Sequence, residues 1–305
     1  MRDCTGIVLA AVFFALIAYI VMRMSDARGC RDFDSFVSAV AGRAAKPIRA
    51  FMLLYMFCGF FVMLSGSGAL ISGTFAVAPS WGIFLLAAVC FVTFSFDMRG
   101  IVALNAVMVP VMVFGMVFLS IFTLLFGSVP TLAPFERLTR NPVLSSVCYV
   151  SYNTITVGAV LVPLSAGLTK KTMLRAAALS GGVLGVLIFL VWSVLNIYYG
   201  DIISSQMPLL DIALTYGRTA ELAYCAVLFM ALCTTAVSHG YGVLSKLRLT
   251  RTCDRVLASA VLCLSAAPFA RIGFSDLISR LYSAFGYAGL AWLGILLYKY
   301  IRTDF

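Results

Sequence analysis

Two short runs in this chain carry side chains that could do chemistry. The first is Ser151-Tyr152-Asn153-Thr154-Ile155-Thr156, five polar-capable groups within six positions, inside the apolar stretch 143–165. The second is Cys233-Thr234-Thr235-Ala236-Val237-Ser238-His239, inside the apolar stretch 220–245. Hydroxyl and amide groups of this kind bind small polar solutes and offer hard oxygens to a cation. Thr235, Ser238 and His239 share one helical face at spacings of three and four. In hydrocarbon each unpaired polar group costs several kcal/mol, so both runs must face other helices, a water-filled cavity or a ligand. Two readings of 143–165 stand open. A helix that unwinds at mid-membrane frees backbone groups to coordinate a solute or ion. A continuous helix instead lets Ser and Thr bond back to its own carbonyls. His239 titrates near neutral pH if solvated, and otherwise has a hydrogen-bonded structural role.

The elements that hold these runs are membrane helices. The 305 residues are 62% hydrophobic and 11% charged, where soluble domains carry roughly 25% charged residues. The net charge of +10 sits in loops, which fits membrane topology and anionic headgroups rather than nucleic acid. At ~20 residues per crossing, nine spans are expected: 6–22, 51–72, 81–96, 101–127, 143–165, 176–199, 220–245, 256–270 and 281–300. They form one all-α, polytopic integral membrane domain over 1–305. Nine scattered cysteines without a CxxC pair, and the single His239, give no metal or disulfide framework. No nucleotide-binding, metalloprotease or catalytic-triad pattern is present, so no enzyme is expected.

Several features between the runs matter for packing. Phe33, Phe36, Val37 and Val40 recur at helical spacing between a candidate N-cap, Asp32, and Gly42. That is either a helix on the membrane surface or an ordinary helical linker. Ser65-Gly66-Ser67-Gly68-Ala69 is a run of small residues that lets helices approach and also leaves room for a ligand. Pro110 lies inside the fourth span and is expected to kink it. Gly181 and Gly185 form a GxxxG pair, most simply a helix-packing face. Asp201, Asp211 and Asp276 are expected in loops, and Glu221 at the outer edge of its helix.

With the N-terminus outside, sixteen of the twenty-two Lys and Arg residues fall on the cytoplasmic side. The positive-inside rule therefore favours N-out and C-in. That orientation is awkward for a five-residue tail, and an additional helix upstream of Met1 is the expectation it raises.

The order of spans and several motifs resemble the YkvI family of bacterial membrane proteins, itself similar to the amino acid–polyamine–cation transporters with the LeuT fold. The resemblance rests on Leu64-Ser65-Gly66-Ser67-Gly68-Ala69, Asn105 through Pro110, Ser151-Tyr152-Asn153, Thr234-Thr235-Ala236-Val237 and Tyr241-Gly242. It implies a LeuT-like inverted-repeat bundle whose nine helices here are helices two to ten. It makes 143–165 the discontinuous sixth helix, and puts the Thr234–Ser238 run on the eighth, which supplies hydroxyl ligands to sodium.

The expected function is a secondary transporter of a small solute, an amino acid, amine or similar, in the bacterial cytoplasmic membrane. The solute would meet Ser151, Tyr152, Asn153 and Thr154 at a midplane broken helix, together with Ser65 and Gly66. Thr234, Thr235 and Ser238 would hold a coupling cation. No cofactor is expected, and Na+ is the candidate coupling ion. The partners are the lipid bilayer and the solute, not nucleic acid. The alternative is a non-transporting scaffold or partner subunit that keeps the architecture, a reading the short N-terminus supports.

Overall fold

The computed structural model describes residues 2–127, 141–198, 207–247, 251–269 and 274–302. Among these residues the regular elements are all helices. In chain order they are α1 (Arg2–Ala27), α2 (Phe33–Ala41), α3 (Ala45–Phe75), α4 (Ser80–Ser95), α5 (Asp97–Phe126), α6 (Pro142–Ser165), α7 (Lys170–Ile197), α8 (Pro208–Thr215), α9 (Arg218–Leu244), α10 (Thr252–Phe269) and α11 (Phe274–Ile301). Short 3-10 turns, Gly42–Ala44 and Ser245–Leu247, join α2 to α3 and extend α9.

Each of the nine expected spans falls on a helix, but among the described residues only seven helical stretches are long and apolar enough to cross a membrane. The other two expected spans, 81–96 and 256–270, lie on α4 and α10. α4 has 16 residues, short of the ~20 a ~30 Å core requires. α10 opens on a polar turn that contains Asp254 and Arg255. α5 runs as one helix through Pro110. Its Phe114 and Leu125 are 72% and 70% exposed, which in a bilayer is contact with lipid rather than a liability.

Two other expectations change. The stretch 200–218 contains α8, so Asp211 is helical and exposed rather than in a loop. α11 begins at Phe274, which puts Asp276 on a helix as well. Asp201, Arg248 and most of the loop 128–142 lie outside the described residues.

The described chain forms two compact units. Unit 1 comprises residues 2–56, 141–189 and 280–302; unit 2 comprises 57–127, 190–198, 207–247, 251–269 and 274–279. In lipid there is no hydrophobic drive between helices, so close approach and hydrogen bonds do the holding. In unit 1, α1 lies along α6, where Ser146 Oγ donates to the Gly6 carbonyl at 2.7 Å. α1 also meets the GxxxG face of α7: a Cβ on Gly181 would stand 2.6 Å from Ala15 Cβ and 2.7 Å from the Ala11 oxygen. The pair is the packing face its spacing implied.

α2 is capped as its sequence predicts. The Ser35 amide donates to Asp32 Oδ1 at 2.8 Å, and Gly42 ends the helix at φ +54°. Its apolar face is not laid on lipid. Phe33, Phe36, Val37 and Val40 are all buried. The Phe33 ring fills the space beside Gly158 of α6, and Phe36 meets Trp292 of α11 edge-to-face at 6.3 Å. The linker reading holds, because protein already covers the apolar stripe.

Unit 2 is built around α9, which packs on α5 and α4, while α10 packs on α4. Small residues again set the distances. Gly82 of α4 leaves no room for a Cβ against the Ser67 carbonyl, and Ser67 Oγ donates to the Gly82 carbonyl at 3.0 Å. At the start of α9, Glu221 is buried and paired with Arg218. Arg218 also donates to the Thr74 carbonyl at 2.6 Å, tying α9 to the end of α3. Glu221 sits in the first turn, at the edge its position implied.

Candidate functional site

The polar run on α6 does not break the helix. α6 is continuous from Pro142 to Ser165, starting from an Asn141 cap whose side chain accepts the Leu144 amide at 3.2 Å. Ser151 Oγ lies 2.8 Å from the Cys148 carbonyl, Asn153 Nδ2 2.8 Å from the Tyr149 carbonyl, and Thr154 Oγ1 2.7 Å from the Val150 carbonyl. Each polar group is satisfied by the turn before it, so nothing forces the backbone to open. The midplane broken helix is therefore corrected to a continuous one.

Ser151 has a second acceptor, the Gly286 carbonyl of α11, also at 2.8 Å. Its one hydroxyl proton is shared between two helices, and Gly289 of α11 packs on it so closely that a Cβ there would come within 3.0 Å of Oγ. Ser151 and Thr154 are buried, while Tyr152 and Asn153 are half-buried. The Tyr152 ring meets Tyr149 edge-to-face at 5.6 Å, and Thr156 lies 3.4 Å from the Tyr55 hydroxyl. These four candidates belong to unit 1.

Ser65, Gly66, Thr234, Thr235 and Ser238 belong to unit 2. On α9, Thr234 and Thr235 both donate to the Ala231 carbonyl, at 3.1 and 2.9 Å, and Ser238 donates to the Thr234 carbonyl at 2.8 Å. Each hydroxyl has spent its single proton but keeps lone pairs that can accept from a solute or ligate a hard cation. The neighbouring His239 is buried against α3, where a Cβ on Gly59 would stand 2.7 Å from its ring.

Thr235 has space in front of it. It lines a cavity of about 330 Å³ with Met63, Met207, Leu228, Leu232 and Phe274. That volume lies within the ~300–1,000 Å³ typical of small-molecule sites. Gly66 borders the same side chains: a Cβ there would approach Phe274 to 2.7 Å and Leu232 to 3.1 Å. Thr235 thus puts a hydroxyl in the wall of an apolar pocket, and Gly66 packs behind two of that wall's side chains. Met63, Met207 and Phe274 were not legible as site residues, since thioether and aromatic groups in apolar runs read as packing.

No protein-family model matches the chain. It is similar to two proteins of Bacillus subtilis (strain 168). The "Uncharacterized membrane protein YkvI" is 25% identical over 303 residues, which cover 96% of this chain and 85% of that protein. The "Uncharacterized protein YyaD" is 28% identical over 296 residues, 96% of this chain and 86% of that protein. Among solved structures, a manganese transporter of Eremococcus coleocola (mutant H236A) superposes with a TM-score of 0.59 at 14% identity, over 97% of this chain and 72% of that one. The chain is a multi-pass membrane protein similar along nearly its whole length to YkvI and YyaD, with the fold of a membrane transporter.

Proposed function

We propose that this chain is a secondary transporter of a small organic solute, an amino acid, amine or similar compound, driven by Na+. The observation that carries the reading is the cavity beside Thr235, an apolar pocket with one acceptor oxygen in a helix-satisfied run. In this proposal the domain is a LeuT-like inverted repeat with its C-terminus in the cytoplasm. Thr235 accepts from a solute ammonium or amide, Phe274 and Met63 cover its apolar part, and Gly66 lets Phe274 and Leu232 of the wall pack close to α3. Thr234 and Ser238 offer oxygens to Na+. On α6, Ser151 and Thr154 serve packing.

The chemistry favours an organic solute over a bare transition-metal ion. Manganese prefers carboxylate, carbonyl and water ligands, and among the described residues no group of three His, Cys, Asp or Glu could hold a metal. The wall groups here are thioether, aromatic, aliphatic and hydroxyl.

The test is uptake of labelled amino acids and amines into proteoliposomes with and without an inward Na+ gradient. The expected result is Na+-dependent accumulation of at least one solute, reduced about tenfold by Thr235→Val, as loss of one hydrogen bond of ~1–1.5 kcal/mol implies. No accumulation by folded protein under any gradient would move the assignment to a non-transporting scaffold or partner subunit.

A further inference from the structure

A second cavity of unit 2 shares no lining residue with the first. It has a volume of about 480 Å³ and runs between α9 and α10 over Phe57 of α3. On α10 its wall is Asp254, Leu257, Ala258, Val261, Leu262 and Ser265, a single face at spacings of three and four. The floor is buried, with Leu244 7% and Leu262 5% exposed, while Leu247, Leu257 and Val261 stand open on its rim at 55, 64 and 59%. This is a furrow with aliphatic lips.

One end of the furrow is charged. Lys246 lies on the 3-10 turn that follows α9, beside the lining residue Leu247. Arg251 is exposed and immediately precedes α10, three residues ahead of the lining residue Asp254; its carbonyl accepts the Arg255 amide at 3.2 Å. Arg255 follows in the first turn. Three cations thus stand against the one carboxylate of Asp254, itself exposed. A membrane furrow that is aliphatic along its length and cationic at its end matches one common molecule on both counts. An acyl chain fills the first part, and a headgroup phosphate meets the second.

We propose that the α9–α10 furrow is a binding site for an anionic phospholipid, with the phosphate held by Lys246, Arg251 and Arg255 and one acyl chain along Leu247, Leu257 and Val261. Asp254 lines the same end of the furrow, adjacent in sequence to Arg255. The site is independent of any transport activity.

The test uses the whole protein in detergent, with native mass spectrometry to count retained lipid during titration with phosphatidylglycerol or phosphatidylcholine. The expected result is preferential retention of phosphatidylglycerol. Each cation neutralised, in Lys246→Gln or Arg251→Gln, should weaken it about fivefold, as ~1 kcal/mol per charge near a membrane surface implies. Ala258→Trp fills the furrow without altering charge and should reduce phosphatidylglycerol retention to the phosphatidylcholine level. Helical circular dichroism and a single gel-filtration peak establish that the variants fold. Equal retention of the two lipids by the wild-type protein would overturn the proposal. So would loss in the charge variants with full retention in Ala258→Trp, which would leave a surface phosphate contact without a furrow site.

Discussion

The two polar runs are alike in sequence and unlike in surroundings. Both are hydroxyl-rich, both lie in long apolar helices, and in both the hydroxyls bond back to the preceding turn. On α6 the run is clamped: Ser151 is shared with the Gly286 carbonyl, and Gly289 presses against it. On α9 the run borders a cavity at Thr235, and Gly66 packs against two of its lining side chains, Phe274 and Leu232. The difference separates two uses of one residue type. A hydroxyl bonded to its own helix and pressed by a second helix is packing. A hydroxyl bonded to its own helix and facing space retains acceptor capacity for a ligand.

The largest effect that would break this contrast is expected at Gly66. Gly66→Leu places a branched side chain where a Cβ alone already meets Phe274 and Leu232, and it should abolish solute uptake. Unaltered uptake would mean that the cavity is not the solute site. Gly181→Leu, in the small-residue seam of unit 1, should cost ~1–3 kcal/mol by overpacking, read as a lowered Tm in detergent. An unchanged Tm would contradict the packing account of the GxxxG face. Thr235→Val preserves shape and removes one hydroxyl. It should reduce uptake about tenfold while Tm stays within ~2 °C, since its lost bond is to its own helix. Ser151→Ala should show the reverse. A stability loss near the ~0.6 kcal/mol average for hydrogen bonds in membrane proteins should come with uptake within twofold of wild type.

Much of the architecture is legible in the sequence because apolar length and caps are local properties. Asp32 and Gly42 bound α2, Gly181 and Gly185 form a close seam, and all nine expected spans are helical. The errors come where local signals are ambiguous. Five polar groups in α6 imply an opening in the helix only if their hydrogen bonds lack intrahelical partners, and side-chain geometry decides that. The apolar stripe of α2 fits lipid and protein equally until Gly158 and Trp292 are seen against it. The site is less legible still. Gly66 and Thr235 could be named from type and spacing, but Phe274 and Met207 reach the cavity through the tertiary fold, and their residue types carry no signal of it.

The most direct measurement sets Thr235→Val and Ser151→Ala beside the wild-type protein in one proteoliposome uptake assay, with Tm measured on the same preparations. The account predicts lost uptake with intact stability for Thr235→Val, and near-intact uptake with slightly reduced stability for Ser151→Ala. Normal uptake by Thr235→Val together with failure of Ser151→Ala would contradict it and move the solute site to α6.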